Sequence, residues 1–247
     1  MRTWINRFAV LATLTTFLAS AQNPVGTTTA FHSDHQPVTI ERFDPKTGGS
    51  HIAVMVTHGG AGPQGDWRKS GIVEALTTSG YSVFIPHYFD GPGPWSPSDK
   101  PDRLLKYIRT LNDATRYIAS QPDIRNRGIG VVGFSLGAYL ALALAEEERS
   151  HPPPLRSPEI KAVVEFFGGM LGFAEERITA MPPVLILHGE DDDVVPIGVA
   201  HDLEELLKKK ALPYEIKVYP HQGHGFSGDA LEDSKKRTVL FLSAHLH

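Results

Sequence analysis

Six short apolar runs between residues 52 and 219 constrain the fold of this chain more than any other feature. They read IAVMVT, YSVFIP, IGVVGF, KAVVEFF, VLILH and YEIKVY. Each is rich in β-branched or aromatic residues, and most lack strict apolar–polar alternation. Such runs suit strands buried on both faces, the situation in parallel sheets covered by helices. Helical stretches lie between them. In DRLLKYIRTLNDATRYIAS, Leu104, Ile108, Leu111 and Ile118 fall on one helical face, and Pro122 stands just past the end. GVAHDLEELLKKKA carries acids early and lysines late, complementing a helix dipole. DSKKRTVLFLSAHL predicts a closing helix. Strands alternating with helices predict an α/β fold: a mostly parallel sheet with helices on both faces. The 247 residues fit one such domain.

The amino-terminal residues follow a different logic. MRTWINR carries two arginines and no acid, FAVLATLTTFLA is a short apolar run, and Ala19 and Ala21 are small residues suited to a cleavage site. This is the order of a secretory signal peptide over residues 1–21, with cleavage after Ala21 and export to the periplasm or medium. The apolar run is shorter than the ~20 residues a membrane span needs, so no stable anchor is expected once the leader is gone. Residues 22–36 are polar and aperiodic and predict a flexible arm, and the folded domain is expected over 37–247. Within it, PVTIERF alternates and predicts an edge strand. HPPPLRSP predicts a surface loop.

Composition removes several function classes. There is no cysteine, which excludes disulfides, thiolate metal sites and cysteine nucleophiles. The net charge of −4 offers no basic stripe for nucleic acid. His32 with His35, and His245 with His247, are close pairs without an evident third ligand, so no metal is predicted. No other cofactor is called for, and no feature specifies an oligomeric state.

The chemistry is expected at the carboxyl ends of the strands. IGVVGF ends at Ser135, and LGAYLALALAEEE then reads as a helix. Ser135 therefore occupies a sharp strand-to-helix turn, with Gly133 and Gly137 two residues to either side. A nucleophile on such a turn is exposed on a strained backbone, and side chains two before or after it would collide. The helix start also leaves the Leu136 amide free to face a developing oxyanion. A serine hydroxyl needs a base, and the base an orienting acid. HGEDDDVVP places Asp191, Asp192 and Asp193 after one strand. HQGHGF places His224 between two glycines after the next, with His221 a weaker candidate.

GFSLG, HGEDDDVVP and HQGHGF, in that order, resemble the α/β-hydrolase superfamily and, within it, the dienelactone hydrolase family. The resemblance covers roughly residues 50–247. It implies an α/β-hydrolase fold, with Ser135 as nucleophile, Asp192 (four before Pro196) as acid and His224 as base. In THGGAG it implies that the backbone amide of Gly60, with Gly59 next, completes the oxyanion hole. The residues depart from the family pattern in two places. The family's nucleophile is cysteine, and members acting on the lactone carboxylate carry an arginine where this chain has Gly228. Both departures point to general ester chemistry rather than a dienelactone substrate.

The segment between KAVVEFFGG and PPVLILHG is too short for a large lid, so an open cleft is expected. Tyr88 and Trp95, in the loop over 87–101, and Phe167 are candidate substrate contacts. Glu165 lies inside an apolar run, and a buried carboxyl there needs a partner. The sequence thus predicts an exported serine hydrolase cleaving small-molecule carboxylic esters through Ser135, His224 and Asp192. A peptidase or acyltransferase on the same residues, or a non-catalytic binder of hydrolase fold, are the alternatives.

Overall fold

The computed structural model describes residues 26–46, 48, 51–98, 101–124, 128–150, 160–175 and 178–246. The expected leader over 1–21 and the stretch HPPPLRSP lie outside them. One eight-stranded sheet organises the molecule. Its strands are β1 (Thr27–Ser33), β2 (Gln36–Phe43), β3 (Ala53–Thr57), β4 (Ser82–Pro86), β5 (Ile129–Phe134), β6 (Ile160–Phe166), β7 (Val184–Gly189) and β8 (Tyr214–Tyr219). They are ordered β1-β2-β4-β3-β5-β6-β7-β8. β2 runs antiparallel to β1 and β4, and all other neighbours are parallel.

The uninterrupted apolar runs are the central strands. In β5 every residue is buried, because neighbouring side chains enter opposite cores: Val131 joins one cluster and Val132 the other. The first core receives α2 (Pro101–Ala119), α3 (Leu136–Ser150) and α5 (Gly198–Lys209) through Leu111, Leu140 and Leu203. The second receives α1 (Ile72–Thr78) and α6 (Gly228–His245) through Leu76 and Leu242. A single turn, α4 (Gly172–Glu175), and a 3-10 turn over Asp66–Ser70 complete the set. The two edge strands are the least buried: β1 is mostly exposed and β8 mostly half-exposed.

Two expectations at the amino-terminal side need correction. Residues 27–33 are not part of a flexible arm. They form β1, paired with β2 along its whole length. PVTIERF is accordingly not an edge strand, since β2 sits between β1 and β4 and β1 is the edge. The cause is a two-residue hairpin at Asp34–His35, both in the left-handed region with φ 46° and 64°. That pairing fits a type I′ turn, usually marked by Asn-Gly or Asp-Gly, and the Asp-His dipeptide hides it. Polar Thr27–Thr29 face solvent, while Phe31 and Ser33 are buried, Phe31 against Tyr117.

Candidate active site

The parallel strands β3, β5, β6, β7 and β8 deliver their carboxyl ends to one rim of the sheet. Ser135 follows β5 directly and has φ 52°, a left-handed conformation costly for a non-glycine residue. The turn is held by its own backbone. The Ser135 amide donates to Phe166 O (2.9 Å), and Ser135 O accepts from the amide of Ala138 (2.8 Å). Both flanking glycines are required by space. A Cβ on Gly133 would lie 2.6 Å from Cα of Ala138, and one on Gly137 only 2.2 Å from the carbonyl oxygen of Thr57. The side chain of Thr57 ties this approach by donating to Gly137 O at 2.8 Å.

Asp192 follows β7 and is buried, whereas Asp191 and Asp193 are exposed. Its Oδ1 accepts from the amides of Val194 (2.9 Å) and Val195 (2.8 Å), a local turn that fixes the carboxylate plane. Oδ2 accepts from His224 Nδ1 at 2.8 Å, and His224 Nε2 lies 2.9 Å from Ser135 Oγ. His221 points into solvent beside Asp191. The acid and histidine loops are fastened together: the Asp191 amide donates to Gln222 O (2.9 Å). This packing needs Gly189, where a Cβ would lie 2.3 Å from Gln222 O. His188, fully buried, donates from Nε2 to Val195 O at 2.8 Å, and burial lowers its pKa, favouring the neutral ring.

Gly60 and Leu136 line the same cavity, and no backbone hydrogen bond from either amide occurs among the described residues. Gly59 lies closer to the serine, with its would-be Cβ 3.4 Å from Ser135 Cβ. The cavity is about 760 Å³. Trp95 and Phe167 line it, as expected from their positions. Tyr88 does not. It is fully buried, its ring stacked on His58 at 4.0 Å, and its hydroxyl donates to His58 O at 2.6 Å. Tyr88 thus braces the THGGAG loop from behind instead of touching a substrate. Burial lowers the His58 pKa to about 4, so the ring beneath it is neutral.

Several cavity residues had no signal strong enough to find them. Trp67 enters from the 3-10 turn, Tyr139 from the first turn of α3, and Val194 from the acid loop. Phe226, two residues beyond His224, was the most readable of them. Glu165 is fully buried on β6, where burial raises its pKa to about 8 and holds the carboxyl protonated. One oxygen accepts the Gly168 amide at 2.7 Å, and the other has no partner. This bond braces the turn carrying Phe167, which has φ 44° and sits 4.7 Å from the His224 ring.

A serine after β5, a carboxylate after β7 and a histidine after β8, on a sheet of this strand order, mark the fold as that of an α/β-hydrolase. Within that class the chain belongs to the dienelactone hydrolase family, whose profile matches residues 41–240. It is 30% identical over 181 residues to a carboxymethylenebutenolidase homolog from Xenopus tropicalis, an alignment covering 69% of each chain. A dienelactone hydrolase from Anabaena variabilis superposes with a TM-score of 0.69 at 18% identity, covering 92% of this chain and 100% of that one. A puromycin-hydrolyzing peptidase from Mycobacterium tuberculosis gives 0.68 at 19%, covering 90% of this chain and 39% of the other. Family membership makes the chain a hydrolase.

Proposed function

We propose that this chain is an exported serine hydrolase that cleaves small-molecule carboxylic esters. The observation that carries the reading is the continuous hydrogen-bonded line from Ser135 Oγ through His224 to Asp192, set in a cavity that Gly60 and Leu136 also line. His224 Nε2 accepts the serine proton as Oγ attacks the acyl carbon. Asp192 holds Nδ1–H, selecting the tautomer and stabilising the imidazolium. The amides of Gly60 and Leu136 receive the oxyanion, where preorganised donors stabilise developing charge. The imidazolium then protonates the departing alcohol. Water, deprotonated by the same ring, releases the acid and restores the serine.

Serine in place of the family's cysteine supports general ester chemistry. Export rests on the charged, apolar and small-residue order of residues 1–21. The test is Ser135→Ala. It should lower turnover of p-nitrophenyl acetate by about 10³-fold or more and abolish labelling by a fluorophosphonate, with the thermal transition retained. Undiminished turnover in that variant would defeat the assignment. Matched ester and amide substrates distinguish an esterase from a peptidase on the same residues.

A further inference from the structure

The cavity around Ser135 is lined by several aromatic residues. Four of them form a continuous series: Trp67 stacks on Phe134 (5.7 Å), Phe134 on Phe166 (4.7 Å), and Phe166 meets Phe226 (6.0 Å). All four line the cavity. The series is held in place. Trp67 Nε1 donates to Gly62 O at 3.2 Å, and the Arg68 guanidinium stands 5.0 Å from the Trp67 ring while bonding Glu41 and Pro63 O. Apart from this series, Trp95 presses on Gly60, whose would-be Cβ lies 2.7 Å from the indole. A substrate ester at Ser135 would therefore sit among aromatic side chains, of which Phe226 and Trp95 are half-buried.

Charge is as one-sided as shape. Among the described lining residues the single cation is Lys69, and it is paired with Asp66 at 2.7 Å. Both side chains are more than four-fifths in water, so the pair offers little to an enclosed anion. Arg68 is committed elsewhere. The Asp192 carboxylate stands directly behind His224, the ring that bonds the serine. A carboxylate on the substrate would lose its water here, find no partner and be repelled. An uncharged aromatic group loses little on leaving water and meets ring faces of suitable geometry. The volume of about 760 Å³ lies in the upper part of the range of small-molecule sites and is poorly filled by an acetate ester.

We infer that the preferred substrates are uncharged esters carrying an aromatic group, which lies against the half-buried rings of Phe226 and Trp95, with Trp67, Phe134 and Phe166 packed behind Phe226, and that esters bearing a carboxylate are rejected. This rests on the ester-hydrolase reading above and narrows it. The test compares kcat/KM for ethyl acetate, ethyl 3-phenylpropanoate and its para-carboxylated analogue, with active sites counted by fluorophosphonate labelling of Ser135. The phenyl ester should exceed the acetate by roughly tenfold or more, and the added carboxylate should cost roughly tenfold or more, since it is remote from the reacting carbonyl. Phe226→Ala should lower the phenyl-to-acetate ratio by at least about threefold. Acetate and phenyl esters within about threefold, or a carboxylated ester as good as its parent, would overturn the inference while leaving the hydrolase standing. An unlabelled Ser135 with no ester turned over would bring down both.

Discussion

Three adjacent aspartates at 191–193 share one loop, and burial separates them. Asp192 alone turns inward, holds two backbone amides and reaches His224. Asp192→Asn should therefore lower kcat by about 10³- to 10⁴-fold through loss of the tautomer, whereas Asp191→Asn and Asp193→Asn should stay within about threefold. Kinetics on the three variants check this. Glu165 makes a different prediction. Its folded-state pKa of about 8 stands above the ordinary 4.5, so the folded protein binds this proton more tightly than the unfolded chain. The stability it contributes is complete below about pH 4.5 and is lost as pH rises through about 8. Glu165→Gln keeps an oxygen for the Gly168 amide and cannot ionise. Between about pH 5 and pH 8.5 its Tm should gain on the parent's by several degrees; a constant difference would show that Glu165 is not titrating there.

The site is assembled where neighbouring loops touch, and glycines permit the approach. GFSLG declared its glycines by their spacing about a serine. Gly189 did not, because it closes a strand and its neighbour, Gln222, comes from another loop. Gly189→Ala should push the histidine loop off the acid loop. kcat is expected to fall by roughly tenfold or more at a stability cost of about 1–3 kcal/mol, measured by turnover and denaturant unfolding on the same protein. Tyr88 shows the converse failure. Its place in an aromatic loop after β4 suggested a substrate contact, yet it lies fully buried on His58. Sequence carries the aromatic character of such a residue but not the direction in which the loop turns it. The same limit hid β1, because a polar, threonine-rich strand on a sheet edge lacks the apolar period that marks buried strands.

Across the molecule, residues far apart in the chain meet at one rim: Ser135 and His224 are 89 positions apart, His224 and Asp192 are 32 apart. The parallel part of the sheet makes this possible, since β3, β5, β6, β7 and β8 all end on the same side. Ahead of that domain, residues 1–21 should be absent from exported protein. Amino-terminal sequencing should begin at Gln22, and a start at Met1 would defeat the leader. The sequence alone determined the alternation of strands and helices and the strained serine turn, because these depend on local periodicity and on short-range steric exclusion; the order of serine, acid and histidine rests on the resemblance of three motifs to a family. The resemblance pointed to Asp192 among the three aspartates, but only the tertiary structure decided that it alone is buried, that β1 closes the sheet edge, and that Phe226 and Trp95 present half-buried rings to the cleft. Those outcomes depend on which surfaces are brought together and freed of water, a property of the packed chain that no local stretch contains.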